Sequence, residues 1–141
     1  MVDAIYTFLQ GLGFHHPLHP PLTHLPMGLV IACFVFSLSA LILSQPVLLK
    51  SAYHCSLLAA AALVPTVAAG LLDWSYRYGG SMNTWITLKM VLAPILLVLL
   101  LLSLWQHRRA ASPGRMLVLY GLAALCAAGL GYSGGELVYG N

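Results

Sequence analysis

Six histidines stand in a chain with only six Lys/Arg and three Asp/Glu among 141 residues. Four of them fall in one segment, His15-His16-Pro17-Leu18-His19-Pro20-Pro21-Leu22-Thr23-His24-Leu25-Pro26. The others are His54 and His107. Neutral imidazole is a general ligand for iron, copper and zinc, and ionisable groups at membrane depth are functional candidates by default. The first segment points to a metal set of His19, His24, Asp73 and Glu136, ringed by Arg77 and Lys89. Such nitrogen and oxygen ligands suit a single Fe, Cu or Zn ion. The structural alternative is a hydrogen-bonded polar plug tying helix ends together, with Asp73 and Arg77 as no more than an i,i+4 ion pair. His54 and His107, followed by Arg108 and Arg109, offer a second chemistry. Two histidines on facing helices, with arginines for the propionates, are what a b-type haem needs, although a juxtamembrane basic cluster has the same composition.

The rest of the composition places these groups in lipid. Hydrophobic residues make up 60% and charged residues 6%, and the mean hydropathy is +0.90. A soluble domain is about 25% charged, so an ordinary globule, a disordered chain and a nucleic-acid binder are all excluded. Cys33, Cys55 and Cys126 form no C-x-x-C or C-x-x-C-H pattern, which sets aside thiol redox pairs, zinc knuckles and covalent haem attachment. Met1 to Phe14 lacks the basic start and cleavage site of a signal peptide.

The elements that must position the histidines follow from four uncharged stretches, each long enough for the ~20 residues that cross a ~30 Å core. The spacing predicts spans at about 23–44, 51–73, 83–106 and 115–133, preceded by an interfacial helix at 3–13 whose Ile5, Tyr6, Phe8, Leu9 and Leu12 recur at helical period. The expected fold is all-α, one domain over 1–141: an integral membrane four-helix antiparallel bundle with a short N-terminal interfacial helix. Continuous apolar runs rule out a barrel. The prolines from Pro17 to Pro21 are expected to hold His15, His16 and His19 on an irregular loop, with Thr23 as the N-cap of the first span. His24 then lies in the first turn, where the helix dipole keeps it neutral.

Basic residues are retained in the cytoplasm, so Lys50, Arg108, Arg109 and Arg115 set the orientation. Both termini are expected on the periplasmic side of a bacterial inner membrane. Tyr53, Trp105 and Tyr120 would mark the cytoplasmic interface, and Trp74, Tyr76, Tyr78, Trp85 and Tyr132 the other. Small residues crowd 59–70 and 121–131, a pattern that suits either close helix packing or a slot for a flat macrocycle.

Three segments resemble one prokaryotic family of four-helix membrane proteins, labelled domain of unknown function 2231. They are His19-Pro20-Pro21-Leu22-Thr23-His24-Leu25-Pro26-Met27-Gly28-Leu29, Ala69-Gly70-Leu71-Leu72-Asp73, and the tail Gly131-Tyr132-Ser133-Gly134-Gly135-Glu136-Leu137-Val138-Tyr139-Gly140. The resemblance implies the same fold and singles out His19, His24, Asp73 and Glu136. Members typically carry a further histidine near the start of span three, where this chain has Lys89. Related domains joined to iron–sulfur or cytochrome-type modules imply electron transfer.

The expected function is therefore a membrane electron-transfer component rather than a stand-alone enzyme. It would bind haem b through histidines and exchange electrons with quinone or a periplasmic redox protein. In an outer version His19 and His24 are ligands, Asp73 and Glu136 orient them, and Arg77 and Lys89 balance the propionates. In an inner version His54 and His107 are ligands, with Arg108 and Arg109 on the propionates. The alternatives are a metal-binding or transport protein with the outer His/Asp/Glu site, and a structural subunit of a larger complex or homo-oligomer. No catalytic residue is assigned, because no nucleophile motif or phosphate loop is present.

Overall fold

The computed structural model describes residues 2–140, apart from the side chain of residue 138. Five helices follow in order: α1 (Val2–Gly11), α2 (His19–Ile42), α3 (Val47–Arg77), α4 (Thr84–Arg108) and α5 (Pro113–Tyr139). The last four are long and apolar enough to cross a membrane. They pack in a ring, α2 on α3, α3 on α4, α4 on α5 and α5 on α2, with α1 laid against α3. Short connections make neighbours antiparallel. This is the expected four-helix membrane bundle with a short N-terminal helix. Its ends are called below the Asp73 end and the Arg108 end.

The helix limits have local causes. The Asn83 side chain accepts from the Ile86 amide at 2.8 Å and so caps α4. Before it, Gly79 and Gly80 take φ of +57° and +72°, a region that lets α3 turn back and that side chains disfavour. At 31 residues α3 runs to about 46 Å, longer than a ~30 Å hydrocarbon core, so it projects beyond the lipid. α2 starts four residues before the expected cap. Pro20 and Pro21 lie in its first turn, where an amide has no intrahelical partner to lose, so they continue the helix instead of breaking it. His19 is thus helical, and Thr23 is no N-cap: its hydroxyl donates to the Pro20 carbonyl at 2.7 Å inside α2.

A middle layer of Val30, Ala59, Ala60, Leu63, Leu96, Leu100, Ala123, Cys126 and Ala127 is buried between the two ends. The small residues of α5 serve close packing. A Cβ on Gly131 would lie 2.7 Å from the Met27 methyl, and one on Gly129 would lie 3.0 Å from Leu92. At these two positions the missing Cβ lets a neighbouring side chain approach the α5 backbone. Nearer the Arg108 end, Cys33, Ala52, Met116 and Tyr120 form a second buried cluster. Tyr120 is 0% exposed, so it is a core residue and not part of an interfacial belt. Trp105 and Tyr132 are well exposed, as belt residues are.

Candidate functional site at the Asp73 end

Every helix begins with backbone amides that lack an intrahelical acceptor. For α2 the acceptor comes from another helix. Asp73, in the last turns of α3 and only 5% exposed, takes the His19 amide at 2.8 Å and the Leu18 amide at 3.1 Å. Its negative charge faces the positive end of the α2 dipole, which favours a carboxylate there. The Tyr6 hydroxyl of α1 donates to the same carboxylate. The Tyr6 ring stacks on Tyr76 at 4.0 Å between centroids, and Gln10 reaches the Tyr76 hydroxyl at 3.3 Å. Burial, together with the bond to the Asp73 carboxylate, holds the Tyr6 phenol well above its ordinary range. Asp73 therefore ties two pieces of chain, α1 and the start of α2, to α3.

His19 points into this end. Its Nδ1 is 2.9 Å from the Thr66 carbonyl, about two turns before Asp73 on α3. A carbonyl can only accept, so Nδ1 carries the proton and Nε2 keeps its lone pair. The ring lies against Gly70, where an added Cβ would stand 2.9 Å from Nδ1. Glycine is needed there for the imidazole to approach the α3 backbone. Thr66 is itself fixed, its hydroxyl donating to Ala62 and Leu22 carbonyls at 2.8 and 3.2 Å. Lys89 of α4 is half-buried, with Nζ beside Gly134 of α5 and its charge felt by both Asp73 and His19.

The other expected members stand apart. His24 is exposed, and its Nδ1 meets the Pro20 carbonyl at 2.9 Å. Five residues separate it from His19, which turns it about 140° around the helix axis. Glu136 is half-buried in α5, its carboxylate folded back toward Gly140. Arg77 donates to the His15 carbonyl at 2.7 Å rather than pairing with Asp73, so it pins the chain before α2. Among the described residues no three His, Cys, Asp or Glu side chains converge on a point where one metal ion could sit.

At the Arg108 end the two remaining histidines do meet, through a tyrosine. The Tyr53 ring stacks on His107 at 4.6 Å and takes His54 on its edge at 5.5 Å. Arg109 lies over Trp105 at 4.6 Å, and Arg108 is exposed. The residues not anticipated at either end are Tyr6, Thr66, Gly70 and Tyr53. Gly70 alone carried a visible signal, as a glycine set in an alanine-rich stretch just before Asp73.

A model of predicted membrane proteins, DUF2231, matches residues 15–141. The chain belongs to the DUF2231 family. Comparison with curated proteins and with solved structures gave no match. The DUF2231 match starts after α1, so the Tyr6–Asp73 contact joins a segment before the matched stretch to one inside it.

Proposed function

We propose that this DUF2231 protein is a membrane electron-transfer component that binds haem b at its Asp73 end, where His19 would hold it. The supporting observation is the tautomer of His19. A ligating histidine donates its far nitrogen to a carbonyl or carboxylate, which orients the ring and raises its basicity. The Thr66 carbonyl does this at 2.9 Å and leaves Nε2 for the iron. Asp73 holds the His19 backbone through its amide, and Lys89 would be the cation for a propionate. Haem bound there would supply one-electron transfer, with quinone in the outer leaflet or a periplasmic redox protein as the partner. His24, on another face of α2, is left out of the ligand set.

The test is a reduced-minus-oxidised spectrum of protein purified from iron-replete cells. Bands of b type that vanish in His19→Ala and persist in His24→Ala and His54→Ala are the expected result. Absent bands in the wild type would overturn it, and bands lost only in His54→Ala or His107→Ala would move the haem to the other end. One observation favours a second reading, the structural subunit. All donors that meet Asp73 are ones that a helix-tying plug requires. In that reading spectra and metal analysis are blank, and Asp73→Asn lowers stability without changing any absorbance.

A further inference from the structure

Between the end of α4 and the start of α5 lies a groove of about 340 Å³, lined by Gln106, Gly114, Arg115, Val118 and Leu119. Its position follows from the connection. The Ala111 amide bonds back to the Gln106 carbonyl at 3.1 Å, so the chain reverses within a few residues and sets Gln106 beside the first turns of α5. The lining is sorted by depth. Gln106 and Arg115 are polar, whereas Val118 and Leu119 are apolar, and Leu119 stands about 6 Å further along α5 into the bundle than Arg115. Trp105, next to Gln106 and 49% exposed, marks the level of the membrane interface. The polar part of the groove is therefore in the headgroup layer, and its apolar part faces the acyl chains.

Charge selects the occupant. Arg108, Arg109 and Arg115 are exposed around this turn, and Arg109 lies over the Trp105 ring at 4.6 Å. The three acidic residues of the chain are Asp3, Asp73 and Glu136, all placed toward the Asp73 end, so no carboxylate neutralises these arginines. A zwitterionic headgroup brings its own cation, whereas an anionic phosphodiester brings a net negative charge, and guanidinium groups pair with phosphate oxygens directly. A free inorganic anion would leave Val118 and Leu119 uncovered. We propose that the groove binds an anionic phospholipid of the surrounding leaflet, its phosphate on Arg115 and Gln106 and one acyl chain along Val118 and Leu119. This site is at the opposite end of the bundle from His19 and does not depend on haem.

Trp105 can report on the groove, because the other two tryptophans, Trp74 and Trp85, lie toward the Asp73 end. The test uses the full chain with Trp74→Phe and Trp85→Phe in phosphatidylcholine nanodiscs, with a rising fraction of dibrominated lipid, whose bromines quench an adjacent indole. Half-quenching is expected at a several-fold lower fraction of brominated phosphatidylglycerol than of brominated phosphatidylcholine. Arg115→Gln should remove most of that preference, and Lys50→Gln, at the same end but outside the lining, should leave it. Equal quenching by the two lipids, or a preference that survives Arg115→Gln, overturns the site. An equal loss in Lys50→Gln also overturns it, in favour of diffuse attraction to the basic rim. Relief of quenching by inorganic phosphate at constant ionic strength would overturn the lipid as occupant. Should the tryptophan variant fail to fold, the gain in Tm on adding phosphatidylglycerol rather than phosphatidylcholine to the detergent-solubilised wild type, Arg115→Gln and Lys50→Gln decides in the same way.

Discussion

At one end of the bundle a carboxylate is buried and meets three donors; at the other, two buried serines, Ser56 and Ser103, meet each other at 2.9 Å. The difference lies in what the chain brings to each. The Asp73 side chain can be buried because the start of α2 presents two amides to it and α1 brings a phenol. The Arg108 end has its charges on the exposed rim and only neutral groups inside. A buried carboxylate here needs donors from two other segments of the chain, whereas buried neutral hydroxyls are satisfied by one another and by a carbonyl of their own helix.

That contrast can be broken from the strong side first. Asp73→Ala leaves two amides and a phenol unpartnered, and a loss of about 3–5 kcal/mol is expected in thermal unfolding of the detergent-solubilised protein. Asp73→Asn keeps one carbonyl oxygen as acceptor and should lose about half as much. A loss within measurement error for Asp73→Ala would show that the Asp73 end is no more self-supporting than the other.

Gly70→Ala comes next, at about 1–3 kcal/mol, because a Cβ there forces the His19 ring off the α3 backbone. If His19 carries haem, the b-type bands weaken in the same variant, and unaltered bands would detach the haem from this ring position. Tyr6→Phe should cost about 1–2 kcal/mol. It also changes a pH dependence. Tyr6 binds its proton more tightly when folded, so its contribution is present below the ordinary phenol pKa of about 10 and fades as pH rises past it. Melting temperature should therefore fall more steeply above that pH in the wild type than in Tyr6→Phe. The smallest effect is at the Arg108 end, where His107→Ala removes one ring from Tyr53 and should cost about 0.5–1 kcal/mol.

The spans were legible because lipid imposes one rule, long apolar helices, that short windows reveal. The gathering of Asp73, Lys89 and His19 at one end was legible too, since alternating spans put those positions at the same level. What joins them was not. Tyr6 lies 67 residues from Asp73, and no local pattern encodes that pairing. The prolines misled because their cost depends on where in a helix they stand, and at the first turn of α2 it vanishes. His24 was grouped with His19 by proximity in sequence, but five residues on a helix turn it to another face. Tyr120 looked interfacial because it lies five residues after Arg115, yet it stands about two turns into α5 and is fully buried.

Between the two ends lies the layer of Val30, Leu63, Leu96, Leu100 and their alanine neighbours. In electrical terms it is a dielectric slab. Protons crossing it would need a chain of polar stepping stones, and its described residues provide none from one cluster to the other. A proton set free at the Asp73 end would meet this layer as a barrier before it reached the Arg108 end.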